Sequence, residues 1–158
     1  HGAKRSATSN RFANSETSAA QKEWKLSKSD IQVGEGKMFA PGNLRAVVDR
    51  EDYLKLVEWW MKQGYTLRYS GGMVSDVNQI LLKGKGIFSY PGYSEAPQGK
   101  LRLLYECAPL AYVMECAGGA ASDGHQPILD KVIENTHQRT PIYLGSKEEV
   151  ARCEKFLG

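Results

Sequence analysis

In the stretch Gly99–Glu106, which reads Gly-Lys-Leu-Arg-Leu-Leu-Tyr-Glu, three charged side chains fall at even spacing. In an extended chain Lys100, Arg102 and Glu106 point to one face, and Leu101, Leu103 and Tyr105 to the other. If the segment coils, Arg102 and Glu106 still share a face four residues apart. Either geometry sets two cations and one carboxylate on a common surface backed by an apolar one. Such a set suits a phosphorylated ligand: cations for the phosphate oxygens, a carboxylate for a hard divalent metal. A solvated charged face on an amphipathic segment has the same pattern, and both readings stand on these eight residues.

The chain that must position them has 158 residues, enough for one domain with a real core. An apolar fraction of 41% and a charged fraction of 25% are those of an ordinary globular protein. The longest apolar run, Pro109–Met114, is far too short to span a membrane. A net charge of +3 fits an anionic small ligand and falls short of a nucleic-acid footprint. Neither membrane nor nucleic acid is therefore expected as a partner. Cys107, Cys116 and Cys153 have no metal-finger spacing, and their odd number argues against a disulfide framework. Buried or half-buried free thiols in a reducing compartment are expected.

Residues 1–21 are rich in Ser, Ala, Asn and Thr, with Phe12 as the one large apolar side chain, and are expected to be disordered or loosely packed. Residues 22–158 are expected to form the α/β domain. Glu23–Val33 alternates weakly and predicts a strand or hairpin. Asp49 offers an N-cap to a helix Glu51–Gln63 that Gly64 stops, with Tyr53, Leu56, Val57, Trp60 and Met61 on its apolar stripe. Helical angle puts Trp59 among Lys55, Glu58 and Lys62, where a lone domain would leave it largely wet, so this indole is expected to pack against another subunit or a missing N-terminal half; the alternative is that the helix lies in a groove covered by this same chain. A second helix is predicted over Asp76–Lys83 with Ser75 as cap, and a buried strand over Gly86–Tyr90. Pro109–Ala117 reads as a helix buried on most sides and stopped at Gly118. Ile142–Leu144 reads as a strand. Ser146 and Glu149 form a capping box for a C-terminal helix whose inner face is Val150, Cys153, Phe156 and Leu157. His125 and His137 have no compact ligand spacing and are expected at the surface or in structural roles. Helices interleaved with strands indicate α/β layers.

Taken in order, Arg68-Tyr69-Ser70-Gly71-Gly72-Met73-Val74-Ser75-Asp76, Gly86-Ile87-Phe88-Ser89-Tyr90-Pro91, Gly99–Glu106, Ala117-Gly118-Gly119 and His137-Gln138-Arg139-Thr140-Pro141 resemble the C-terminal half of the fructose-1,6-bisphosphatase superfamily. Phe39-Ala40-Pro41-Gly42-Asn43-Leu44-Arg45-Ala46, Met73-Val74-Ser75-Asp76-Val77-Asn78-Gln79 and Ser122-Asp123-Gly124 resemble its sedoheptulose-1,7-bisphosphatase branch. The resemblance covers about Gly34 to the C-terminus. It implies a layered α/β/α domain with a mixed central sheet, and a ketose bisphosphate as substrate. The reaction implied is Mg²⁺-dependent hydrolysis of the 1-phosphate. Alternatives are a fructose-1,6-bisphosphatase, or a sugar-phosphate-binding module without catalysis. Residues 1–21 as a basic partner-binding arm is a third reading.

By the same resemblance Glu106 is a metal-ligating carboxylate, and Arg102 sits beside the metal to place the reacting phosphate. Lys100, Tyr69, Tyr90 and Asn43 hold the phosphate at the far end of the sugar, with backbone near Gly72-Met73 touching the sugar itself. Arg68 reaches a neighbouring subunit's phosphate pocket, which implies a homo-oligomer, a dimer or tetramer. Arg45 either contacts a longer sugar or makes a structural salt bridge. The superfamily's Asp-Pro-x-Asp-Gly-Ser carboxylate motif is not in this sequence. The chain is thus expected to be half an enzyme, inactive alone. The compartment implied is the chloroplast stroma in a photosynthetic organism and the cytoplasm otherwise.

Overall fold

The computed structural model describes residues 14–18 and 23–158, with side chains from residue 26 onward. The expectation of disorder over residues 1–21 falls mostly outside these residues; within that span Asn14–Ser18 (β1) pairs antiparallel with Glu23–Lys28 (β2). Ile31 and Val33 are buried in the link that follows rather than in the strand expected there.

Gly34–Pro41 (β3), Thr66–Leu67 (β4), Lys85–Tyr90 (β5), Ala120–Ser122 (β6) and Ile142–Gly145 (β7) form one sheet in the order β4-β3-β5-β7-β6. β4, β3 and β5 run parallel, while β7 is antiparallel to both of its neighbours, so the sheet is mixed. Side chains of the inner strands alternate between two apolar layers, as a pleated strand covered on both faces requires. Met38, Ala40, Phe88, Ile142 and Leu144 enter one layer; Phe39, Ile87 and Tyr143 enter the other. The first layer is closed by helices Met73–Lys83 (α2) and Ala108–Cys116 (α3), the second by Glu51–Lys62 (α1) and Lys147–Leu157 (α4). The result is the expected α/β/α sandwich. No helix among the described residues is long and apolar enough to cross a membrane.

Several local expectations change once tertiary partners appear. α1 buries Tyr53, Leu56, Val57 and Trp60 at helical spacing and stops at Gly64 (φ +73°), but Met61 is exposed. Asp49 does not cap α1: its Oδ2 accepts the Ser94 backbone N–H at 2.8 Å, which ties the loop after β5 to the helix entrance. α2 starts at Met73, three residues early, because Asp76 turns inward and its Oδ1 accepts the Ser70 N–H at 3.0 Å. α3 buries only Ala111 and Met114 and leaves Tyr112 60% exposed; it covers one face of the sheet and is itself uncovered outside. Gly118 (φ +84°) ends it as expected.

The capping box is also absent. Ser146 Oγ donates to Gly34 O at 2.6 Å and accepts the Gly86 N–H at 3.0 Å, joining β3 to β5 instead of closing its own helix. Glu149 is buried and accepts Trp60 Nε1–H at 2.8 Å and the Tyr65 hydroxyl at 2.6 Å. Phe156 is half-buried at the margin of that layer. Trp59, expected to need a partner, is instead covered in part by this same chain. It is partly buried, with the Arg152 guanidinium 3.8 Å from its ring centre and Tyr65 edge-on at 5.6 Å, because α4 packs along α1 on that side.

Candidate functional site

Parallel β4, β3 and β5 deliver their C-terminal ends to one edge of the sheet, and pairing of Tyr90 with Ile142 brings the start of β7 to the same edge. Arg68 and Tyr69 leave it after β4, Asn43 after β3, Tyr90 ends β5, and Arg139–Pro141 lead into β7. Two bonds carry the ladder past the strand ends: Arg68 N–H to Phe39 O at 2.9 Å and Gly42 N–H to Ser89 O at 2.7 Å. Gly42 has to be glycine here, since a Cβ would lie 2.7 Å from the rings of Phe88 and Tyr90. That close pass lays Asn43 beside Tyr90.

The segment with the charged residues joins this edge through residues 138–140. Thr140 N–H donates to Leu101 O at 3.0 Å, Leu103 N–H to Gln138 O at 2.8 Å, and Arg139 Nη1 to Lys100 O at 3.1 Å. The chain bends at Lys100 and Leu101, Arg102 is extended and bridged to Arg139, and Leu103–Cys107 then winds into a widened π turn ahead of α3. The coiled alternative is the one that pairs Arg102 with Glu106; the extended run expected from Lys100 onward is broken by the bend.

Tyr90 is half-buried. Burial raises its phenol pKa, and the cations of Lys100, Arg45 and Arg139 oppose that rise. Lys100 Nζ stands 5.4 Å from the centre of the Tyr93 ring, and the Tyr93 hydroxyl, with Tyr90 nearby, holds its pKa above the ordinary lysine value. Tyr93 was not foreseen as a site residue; its signal is the repeated aromatic of Tyr90-Pro91-Gly92-Tyr93. Asn43 is buried, and its Nδ2 has no hydrogen-bond acceptor among the described residues. Arg68 and Tyr69 come off the same edge one strand further out, both exposed, with Arg68 making only a 3.4 Å contact to Leu67 O.

A second feature adjoins the first. Gly72, Met73, Leu101, Tyr105, Glu106 and Leu110 are among the walls of an open groove of about 430 Å³. The π turn folds Glu106, one of these walls, back on Arg102. Glu106 Oε2 accepts both the Arg102 backbone N–H at 2.8 Å and Arg102 Nε–H at 3.3 Å. Glu106 Oε1 has no partner among the described residues. A carboxylate oxygen suits a hard cation such as Mg²⁺, but one carboxylate is one ligand. Among the described residues no cluster of three His, Cys, Asp or Glu side chains could hold a metal. His125 and His137 are exposed. The structure thus brings Asn43, Tyr90 and Lys100 to one spot and Met73 and Glu106 to the adjoining groove, with Arg102 bonded to Glu106.

Residues 33–158 match the family described as the fructose-1-6-bisphosphatase C-terminal domain. The chain is 54% identical over 134 residues to the chloroplastic sedoheptulose-1,7-bisphosphatase of Triticum aestivum, covering 85% of this chain and 34% of that protein. It is 49% identical over 138 residues to the class 1 fructose-1,6-bisphosphatase of Trichlorobacter lovleyi, again 85% of this chain and 43% of the relative. A crystal structure from Toxoplasma gondii, assigned as a sedoheptulose-1,7 bisphosphatase, superposes with a TM-score of 0.84 at 38% identity, covering 91% of this chain and 46% of that one. The chain spans less than half the length of each of these relatives. Fold, edge geometry and sequence agree: this chain belongs to the fructose-1,6-bisphosphatase family, by its C-terminal domain.

Proposed function

We propose that this chain is the sugar-phosphate-binding domain of a Mg²⁺-dependent ketose bisphosphatase, acting on the 1-phosphate of sedoheptulose 1,7-bisphosphate. The observation that carries this reading is the convergence of Asn43, Tyr90 and Lys100 at one sheet edge, beside a turn that presents Glu106. Lys100 supplies a point charge, and Tyr90 and Tyr69 supply hydroxyl donors, for the phosphate remote from the reaction. The unpartnered Asn43 amide adds a further donor there. Arg68, exposed at the outer strand, serves a neighbouring subunit in a homo-oligomer. Backbone at Gly72–Met73 touches the sugar.

In the groove Glu106 offers Oε1 as one ligand for Mg²⁺, and Arg102, locked to Oε2, presents its remaining guanidinium donors to the reacting phosphate. When bound, the metal supplies positive charge to the attacking and leaving oxygens. The other ligands would come from outside the described residues. Fructose 1,6-bisphosphate is the second reading, supported by the 49% identity to a fructose-1,6-bisphosphatase. The chloroplastic wheat relative supports a plastid location in a photosynthetic source.

Titration calorimetry of the chain with sedoheptulose 7-phosphate, fructose 6-phosphate and unphosphorylated fructose tests the binding role. Both sugar phosphates are expected to bind and fructose is not; Lys100→Ala is expected to weaken binding about tenfold or more. Equal binding of fructose, or no binding of either phosphate, overturns the reading.

A further inference from the structure

Arg45 follows directly after Asn43 and Leu44 in the turn beyond β3, in the 3₁₀ segment Leu44–Val48. It is exposed and lines a groove of about 250 Å³ together with Tyr93, the ring over which Lys100 lies. The arginines at 50, 68, 102, 139 and 152 each make a hydrogen bond within the chain. Among the described residues Arg45 makes none, and no carboxylate is within ion-pair distance of it. The structural salt bridge that was one of its two expected roles is therefore absent among those residues. Two carboxylates share the groove: Asp49, whose Oδ2 takes the Ser94 N–H, and Glu95. Neither pairs with Arg45.

Arg139 is tied to the Lys100 segment by the bond from its Nη1 to Lys100 O at 3.1 Å. Arg45, Lys100 and Arg139 all act electrostatically on the Tyr90 phenol. Three cations around one hydroxyl repel one another unless an anion joins them, and a guanidinium without a partner has its whole donor fork to offer.

We propose that Arg45 is a further phosphate-binding residue of the Tyr90–Lys100 site, closing it from the β3 side and contacting the phosphate group rather than the sugar carbons. The proposal rests on the sugar-phosphate reading above. Because the contact is to phosphate, it serves six- and seven-carbon ligands alike and weakens with salt.

The test titrates the chain with inorganic phosphate, fructose 6-phosphate and sedoheptulose 7-phosphate at low and at physiological salt. The variants are Arg45→Ala, Arg45→Lys, Lys100→Ala and Lys55→Ala, the last removing an exposed α1 cation paired with Glu51. Arg45→Ala is expected to weaken all three ligands by about tenfold at low salt, less at physiological salt, with Arg45→Lys recovering part of the loss and Lys55→Ala unchanged. If Lys100→Ala loses affinity while Arg45→Ala binds as the parent does, the Arg45 assignment fails and the site reading stands. If Lys55→Ala loses as much as Arg45→Ala, the effect is general charge and the assignment fails. A loss confined to one sugar phosphate, with inorganic phosphate unaffected, also overturns it by placing Arg45 against the sugar. Wild-type chain that binds none of the ligands overturns the site reading and the assignment together.

Discussion

At the scale of single residues, the two most consequential side chains outside the site are a buried acid and a buried thiol. Glu149 accepts from Trp60 and Tyr65 and pairs with Arg152 at 3.3 Å. Glu149→Ala would leave the Trp60 and Tyr65 donors without an acceptor and is expected to destabilise the fold by about 3 kcal/mol in urea unfolding. Glu149→Gln keeps a carbonyl oxygen and is expected to cost about half as much. A neutral Glu149→Ala would show that the network carries no weight. Cys107 is fully buried, with burial foremost and then the Glu106 charge pushing its thiol up to about 12. Cys153 is buried as well, whereas Cys116 is half-buried on α3. A thiol reagent at pH 8 is expected to modify Cys116 alone until the protein is denatured; labelling three thiols in the native state would contradict the packing described. The cysteines were legible in the sequence, since their spacing offered no site. Glu149 was not, because a Ser three residues ahead of a Glu looks the same whether the pair caps a helix or faces a second helix. Only the approach of α1, with Trp60 and Tyr65, decides between them.

At the scale of elements, periodicity found the faces and tertiary partners set the ends. The stripe of α1 was plain from its period, and β5 and β7 from short apolar runs that are buried on both faces. β3, β4 and β6 were missed as strands: Gly34–Pro41 carries two glycines and ends in proline, and the others have two and three residues. Trp59 misled because helical angle does not know that α4 lies alongside with Arg152. The link Asp123–Lys131 has a clear pH signature. Burial raises the Asp123 pKa, but the Lys131 ammonium and the His125 and Gln126 backbone N–H groups outweigh it and leave the carboxyl below its ordinary 3.8. A depressed carboxyl stabilises the folded state above its unfolded value, and that contribution disappears as pH falls through the folded one. Asp123→Asn is therefore expected to lower the melting temperature at pH 6 to 7, with the difference from the parent shrinking below about pH 4. A difference that persists unchanged at pH 2.5 would assign it to packing instead. Gly145 is a second element-level test: a Cβ there would lie 2.0 Å from Gly86 O, so Gly145→Ala is expected to cost more than about 2 kcal/mol by splaying β5 from β7.

At the scale of the whole molecule, one carboxylate in the groove limits what the chain does alone. Incubated with either ketose bisphosphate and excess Mg²⁺, it is expected to release no phosphate at enzymatic rates of about 1–10³ s⁻¹. Turnover in that range would mean that a complete metal site is assembled from residues outside those described. Motif order singled out candidate residues on distant segments, and the sheet explains why those segments meet: three parallel strand ends and one antiparallel start share an edge. The grouping of Arg45 with Tyr93 was harder to read, since it comes from proximity across loops that no period records.

The opposite edge of the sheet has its own devices. Ser146 joins Gly34 to Gly86, and Gly145 allows β7 to close on Gly86 there. What holds the strands together thus lies a full strand length from what meets the ligand. Loops at the binding edge can drift in sequence, exchanging one sugar for another, without the lineage having to solve folding again. An engineer can likewise harden the clasp around Ser146 and expect ligand affinity to stay where it was.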